Sequence, residues 1–375
     1  MNVTVLGSGL VGSAIAKDLS KDNRHNITAV DINETALSNL NGHGIKCIPA
    51  DVSNLTTLQN VIADSDIVVN AVPGGLGFLS LKNIISSGKN VVDIAFYEQD
   101  PFLLDELASE NNVTALVDFG VSPGISNLLI GSSKINFDKI NNLEIYVGGL
   151  PLKREQPFEY KAVFSPADVI EEYIRPARLI ENGKEIIKPA LSEVELMDFP
   201  GVGTLQAFNS DGLRSLLKTT DIPNMKEKTL RYPEHAEKIE LLKNIGLFSK
   251  DYIELNSIKV KPIDLISKLL FPMWQMQSGD KDFTVLKVII RGEKNNLNCQ
   301  IEYLLIDYFD DETGIHSMAR TTGYMAAMGV RLLADNLYSR KGICSPEFVG
   351  EDIASAKYIL QGLAARNIRI TEKWS

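Results

Sequence analysis

The sequence predicts an α/β fold in which a doubly wound parallel sheet is joined to a second α/β domain with a mixed sheet. Two observations lead there. From residue 1 to about 120, short β-branched runs alternate with amphipathic segments, as in a parallel sheet covered on both faces, and the first run leads straight into a Gly-x-Gly-x-x-Gly turn. After about residue 120 the texture changes to longer alternating strands mixed with helices, which favours a mixed or antiparallel sheet.

In the first region strands are expected at 3–6, 27–31, 46–48, 66–72, 91–95 and 114–118, with helices starting near residues 12, 55, 77 and 101, bounded by Gly, Asn or Pro. The second region offers strands at 142–147, 283–291 and 298–308 and a hairpin over 178–188 that turns at Asn182 and Gly183. Helices are expected there at 211–218, 233–244, 262–276 and 318–337. The domain boundary falls near 120–126. No repeat or low-complexity linker separates the halves, so they should pack tightly.

The 375 residues, 44% hydrophobic and 23% charged, suffice for two cores. A net charge of −10 leaves no broad basic surface for nucleic acid or anionic lipid. Cys47, Cys299 and Cys344 are widely spaced and suit a reducing compartment. With no basic leader and no apolar run of spanning length, the cytoplasm is expected and no membrane partner. His25, His43, His235 and His316 are scattered without ligand spacing, so no metal is expected.

The segment Gly7-Ser8-Gly9-Leu10-Val11-Gly12 is the candidate diphosphate site of a Rossmann domain. Gly7 permits the tight turn, Gly9 lets the diphosphate approach the backbone, and Gly12 lets the helix pack closely. Asp31, at the end of the second strand, could accept from both adenosine ribose hydroxyls and repel a 2′-phosphate, which favours NAD over NADP; it could also cap the helix that follows. Asp51 could accept from the adenine amino group or cap its own helix. Val72 and Pro73 end the fourth strand beside the expected nicotinamide path.

Hydride transfer needs positioning, a proton acceptor and grips for substrate charge, and four clusters offer them. Tyr97 and Glu98 follow the fifth strand, where an open sheet places its ligand crevice, while Asp93 reads as structural. Residues 118–127 form a Pro-Gly turn into a helix whose amides could face an anion. Lys161, after the Gly148-Gly149-Leu150-Pro151 stretch, could shuttle protons if desolvated. Arg214 and Arg231 could fork a substrate carboxylate or form structural ion pairs, and His235 could titrate near neutrality or simply sit in a helix's first turn.

These residues resemble the saccharopine dehydrogenase-like family, and within it the lysine 6-dehydrogenase branch. The resemblance is carried by the glycine fingerprint, by Gly120-Val121-Ser122-Pro123-Gly124-Ile125-Ser126-Asn127, by Gly148-Gly149-Leu150-Pro151, by Tyr160-Lys161 before Phe164-Ser165-Pro166, by Phe208-Asn209-Ser210-Asp211-Gly212-Leu213-Arg214 and by Arg320-Thr321-Thr322-Gly323-Tyr324. It implies an NAD-binding domain over 1–120, a substrate and dimerisation domain over 121–320 that makes a homodimer or larger homo-oligomer, and a segment 321–375 that returns to the first domain. The implied reaction is NAD-dependent oxidative deamination of the ε-amine of L-lysine to 2-aminoadipate 6-semialdehyde, with the base among Tyr97, Glu98, Lys161 and His235. The implied grips on this small amino-acid substrate are Arg214, Arg231 and Gly149. A saccharopine or carboxynorspermidine type reductase and a non-catalytic NAD sensor are the alternatives. Saccharopine reductases differ at Ser122 and at Ser210, where they carry Asp and Arg.

Overall fold

A computed structural model describes residues 1–162 and 166–375. The chain begins as an alternation of β1 (Asn2–Leu6), α1 (Leu10–Ser20), β2 (Asn26–Asp31), α2 (Glu34–Ser38), β3 (Lys46–Pro49), α3 (Leu55–Ile62), β4 (Ile67–Asn70), α4 (Gly74–Ser86), β5 (Asn90–Asp93), α5 (Asp105–Glu110) and β6 (Thr114–Leu116). It continues through α6 (Ile125–Ser133), β7 (Lys139–Pro151), α7 (Pro166–Ile174), β8 (Ala177–Glu181), β9 (Lys184–Lys188), β10 (Glu195–Phe199), β11 (Gly203–Asn209), α8 (Leu216–Thr219), β12 (Met225–Arg231) and α9 (His235–Asn244). After β13 (Ile253–Leu255), β14 (Ile258–Val260), α10 (Pro262–Trp274), β15 (Asp282–Lys294) and β16 (Leu297–Tyr308) come α11 (Ser317–Ala334), β17 (Gly342–Cys344), α12 (Pro346–Glu351), α13 (Ile353–Ala364) and β18 (Ile370–Trp374).

The first sheet is parallel throughout, in the order β3-β2-β1-β4-β5-β6-β17. Strand order reverses between β1 and β4, so the crevice that opens there is where a doubly wound sheet receives a ligand. Both faces are buried. Val3, Val5 and Val69 pack with Ile15 of α1 and Val330 of α11, while Leu6, Val30 and Val68 pack with Leu58 of α3 and Leu81 of α4. The near-continuous apolar runs of these strands follow from that double coverage.

The second sheet runs β10-β11-β12-β7-β15-β16-β18, with β8 and β9 attached beside β12. It is mixed, because β12 lies parallel to β7 while the remaining pairs are antiparallel. The C-terminal segment serves both sheets. Its β17 extends the first sheet and its β18 pairs with β16 on the second, from Ile301 opposite Trp374 to Leu305 opposite Ile370.

Two expectations are corrected. The helix expected at 211–218 shrinks to Leu216–Thr219, because Arg178 forks Asp211 and Arg214 adopts a left-handed conformation (φ 49°) that no helix can propagate through. Strands β10, β11 and β12 were not anticipated; β12 carries Glu227, Lys228 and Arg231 in buried positions, which hides it from an apolar pattern. The quoted Phe164 and Ser165 lie outside the described residues.

A buried network ties the C-terminal helices to α1. Asp18 accepts from Arg331 at 2.7 Å and from Arg366 at 2.7 Å, while Arg331 also reaches Asp22 at 2.6 Å. Removing one partner of a buried pair leaves uncompensated charge and costs about 3–5 kcal/mol. Asp18→Ala should therefore lower the free energy of unfolding by about that amount in urea titration, whereas a loss below about 1 kcal/mol would show that the network is dispensable.

Candidate active site

One cleft of about 620 Å³ runs between the two sheets, from the glycine turn to α7 and β12. At its first end the fingerprint is built by close approach. Gly7 has φ 92°, and a Cβ there would lie 2.3 Å from the carbonyl oxygen of Ala71; a Cβ on Gly12 would lie 1.9 Å from the carbonyl oxygen of Gly7. Gly9 faces open space instead, with nothing within 4 Å of its Cβ position. Helix α1 starts at Leu10 with no side-chain cap, so its first amides are left for a ligand anion. Gly7, Gly9, Leu10, Val11, Gly12, Asp31, Asp51, Val72 and Pro73 all line this end, and Ser8 is buried behind it.

The Asp31 carboxylate accepts from the Ser8 amide at 2.6 Å and the Asn33 amide at 2.8 Å. A carboxylate has about four acceptor positions, so two remain for ligand hydroxyls. Asp31 does not cap α2; Asn33 does, accepting from Thr35 and Ala36. Asp51 accepts from the Ser53 amide at 2.9 Å, and Asn54 caps α3. The open Gly9, the uncapped α1 and the lone pairs of Asp31 together fit a dinucleotide. The basic residues on the wall are Arg175 and Arg231, both at the opposite end.

That opposite end is rich in carboxyl groups. Asp168, Glu171, Glu172 and Arg175 follow the i, i+3, i+4, i+7 spacing of one helical face and line the cleft from α7 and its C-terminal turn. Facing them are Gly148 and Gly149 of β7, Ser210, Asp211 and Gly212, and Glu227, Thr229 and Arg231 of β12. Helix α7 reaches across to the first domain: a Cβ on Gly74 would lie 2.2 Å from the Phe96 carbonyl oxygen and 3.1 Å from Asp168 Oδ1.

None of the four expected bases lines the cleft. Tyr97 is buried and donates to Asp93 Oδ2 at 2.7 Å; burial holds the Asp93 carboxyl up at about 7. Glu98 is exposed to solvent, away from the wall. Lys161 is turned toward Glu155 at 3.4 Å and Asp280 at 3.7 Å. His235 lies in an aromatic core, its Nδ1 2.9 Å from the Phe158 carbonyl and its Nε2 2.9 Å from the Tyr173 hydroxyl; burial, helped by the charge of Arg231, lowers its pKa to about 3.

The two expected carboxylate forks are engaged inside the protein. Arg214, 3% exposed at its side chain, pairs with Asp118 at 3.0 Å and donates to the Tyr97 carbonyl. Arg231 does line the cleft, but its Nη2 donates to Glu172 at 2.9 Å and its Nε to the Tyr173 hydroxyl at 3.2 Å. Arg175 is the wall cation outside these pairs, its guanidinium 5.4 Å from the centre of the Phe96 ring. Among the described residues, Asp118 Oδ2 is buried on the wall without a hydrogen-bond partner. Sequence reasoning missed Asp168, Glu171, Glu172, Arg175, Ser210, Thr229 and Glu227; the helical spacing of the first four was the available signal.

Two family models match the chain: the saccharopine dehydrogenase NADP binding domain over residues 3–116 and the saccharopine dehydrogenase C-terminal domain over residues 120–368. Among curated proteins, the mitochondrial alpha-aminoadipic semialdehyde synthase of Mus musculus is 22% identical, with 92% of this chain and 45% of that protein covered. The chain thus spans about half the length of the synthases it matches. The NADP(+), L-glutamate-forming saccharopine dehydrogenase of Saccharomyces cerevisiae is 23% identical over 92% of this chain and 93% of its own length. The carboxyaminopropylagmatine dehydrogenase of Synechocystis is 21% identical over 96% of both chains. The solved apo saccharopine dehydrogenase (L-Glu forming) of Saccharomyces cerevisiae shares the fold, with a TM-score of 0.80 at 20% identity, covering 100% of this chain and 99% of that one. Among the described residues no helix is long and apolar enough to cross a membrane.

The buried His235 makes a stability prediction. Its folded pKa of about 3 lies below its ordinary value of 6.5, so the unfolded chain binds the extra proton between those values and stability falls on acidification through that window. Replacement by Gln keeps the polar contacts and removes the titration. The stability difference between wild type and His235→Gln, from urea titrations between pH 7.5 and 4.5, should shrink toward acid by about 1 kcal/mol per pH unit. A pH-independent difference would place a charged or exposed histidine there.

Proposed function

The chain belongs to the saccharopine dehydrogenase family, and we propose that it is an NAD-dependent oxidoreductase acting on a C–N bond of a small amino-acid amine. The observation that carries this reading is the continuity of one cleft from the glycine turn and Asp31 to the carboxyl-rich face of α7. The amides at the start of α1 would hold the diphosphate, Asp31 the adenosine ribose, and Val72 and Pro73 would flank the nicotinamide. Bound NAD supplies the hydride acceptor.

Preference for NAD follows from the adenosine end. A 2′-phosphate would meet the Asp31 carboxylate with, among the described residues, no basic wall residue beside it. The yeast relative carries NADP in its name, so this is a point on which the chain departs from it.

The far end supports a cationic amine over a polycarboxylate. Arg214 and Arg231 are already neutralised by Asp118 and Glu172, which leaves Arg175 to meet a single carboxylate. Among the described residues, the orphaned Asp118 Oδ2 and the Glu227 carboxyl, which has no cation partner, offer acceptors to ammonium hydrogens. L-lysine oxidised at its ε-amine to 2-aminoadipate 6-semialdehyde is the substrate we place first. A secondary amine with a longer cationic arm is the second reading, supported by the same acceptors, Asp118 Oδ2 and Glu227.

Titration by intrinsic fluorescence should show NAD binding at least about tenfold more tightly than NADP, and Asp31→Ala should weaken NAD by about 10–100-fold, as loss of charge-assisted hydrogen bonds does. Tighter binding of NADP would overturn the cofactor assignment. Reduction of NAD followed by its absorbance with L-lysine, saccharopine and agmatine derivatives in parallel tests the substrate; turnover of saccharopine alone would refute the single-carboxylate reading.

A further inference from the structure

We propose that Glu227 is the group that takes the proton from the substrate amine, its carboxyl held in place by a hydroxyl chain through Ser210 and Thr229. This rests on the amine-oxidising reading above. Glu227 sits in the middle of β12, opposite Ile145 of β7, and is 3% exposed while lining the cleft. Ser210 Oγ donates to its Oε2 at 2.7 Å, and the hydroxyls of Ser210 and Thr229 lie 2.7 Å apart, so Thr229 donates to Ser210 in turn. The Gly212 amide donates to the same carboxyl, and a Cβ on Gly212 would lie 2.4 Å from Glu227 Cδ. The carboxyl is held by two donors, Ser210 and the Gly212 amide, with the Gly212 backbone packed against it.

What singles it out is the absence of a cation. Asp118 has Arg214, Glu172 has Arg231 and Asp211 has Arg178, but among the described residues no Lys, Arg or His pairs with Glu227. A buried carboxyl in that position is either protonated or waiting for a positive ligand. The charged groups that face it are Glu172 of α7 and Asp211, both anionic, which add to burial in pushing its pKa up to about 8. Arg231 on its own strand is committed to Glu172, and Arg175 lies on the same wall. A base that titrates near the operating pH is what proton abstraction from an alkylammonium calls for.

The step balances. The Glu227 carboxylate takes one proton from the substrate ammonium, breaking N–H and forming O–H. The nitrogen lone pair then forms C=N as the carbon loses its hydride to the oxidised nicotinamide. Water adds to the iminium, ammonia leaves as ammonium, and the proton on Glu227 returns to solvent, so one aldehyde, one reduced nicotinamide, one ammonium and one proton result.

Two readouts on the full-length protein test this. In steady state with NAD and L-lysine, kcat/KM should rise with pH through about 8; Glu227→Gln should lower it by about 10²–10⁴-fold and abolish that rise, with NAD affinity unchanged, and Glu227→Asp should restore part of the rate. In infrared difference spectra at a pH above that value, adding L-lysine to the NAD complex should raise the protonated-carboxyl C=O band in wild type and not in Glu227→Gln. Gly212→Ala, which crowds the carboxyl, should shift that band without removing it. A Glu227→Gln enzyme with wild-type kcat/KM and pH profile, or an unchanged band in wild type, overturns the proposal. The band change without turnover would uphold Glu227 as the amine's proton acceptor and overturn the lysine reaction instead.

Discussion

The buried ion pair between Asp118 and Arg214 is the contact on which the site depends. Asp118 follows β6 of the parallel sheet, Arg214 lies in the loop after β11 of the mixed sheet, and their side chains are 2% and 3% exposed. Arg214 also donates to the carbonyl of Tyr97 after β5, so one guanidinium draws two strand ends of the first domain onto a loop of the second. Both partners stand at positive φ, 57° for Asp118 and 49° for Arg214, a region that is common for Asp but uncommon for Arg. The cleft is the space this junction leaves open.

Charge within that space is arranged by cancellation. The guanidinium groups nearest the centre are each matched by a carboxylate, which buries them without an uncompensated charge. The carboxyl groups outnumber them on the wall, and among the described residues Asp118 Oδ2 has no hydrogen-bond partner and Glu227 no cation. A positively charged ligand completes such a wall, whereas a polyanion would meet repulsion in a medium of low dielectric. Behind the wall, the neutral His235 receives the Tyr173 hydroxyl, which in turn accepts from Arg231, so an aromatic core fixes the direction of a cleft arginine. Histidine here positions other groups rather than exchanging protons.

Sequence pattern resolved most of the parallel sheet because its central strands β1, β4 and β5 are covered on both faces and so read as apolar runs. The second sheet was partly concealed for the opposite reason: β12 is buried yet presents Glu227, Thr229 and Arg231, since a strand that builds a polar site cannot look like a core strand. Arg214 and Arg231 were read as substrate-carboxylate forks or structural ion pairs, and their partners Asp118 and Glu172 lie 96 and 59 residues away. Local spacing carries no information about such pairs. Tyr97, Lys161 and His235 were chosen for chemical type, and each is held away from the cleft by a partner: Tyr97 by the nearby Asp93, Lys161 by Asp280 and His235 by the carbonyl of Phe158, the last two far along the chain.

By itself, then, the sequence determined what depends on neighbours in the chain: the glycine turn between β1 and α1, whose close approaches to residues 7 and 71 tolerate no Cβ, and Asp31 at the end of β2, whose acceptors face the cleft. Only the tertiary structure decided which ionisable groups are paired and which are left over. That outcome is set by long-range packing, since the free energy of a buried charge is governed by what lies within a few ångströms in space and not by its place along the chain.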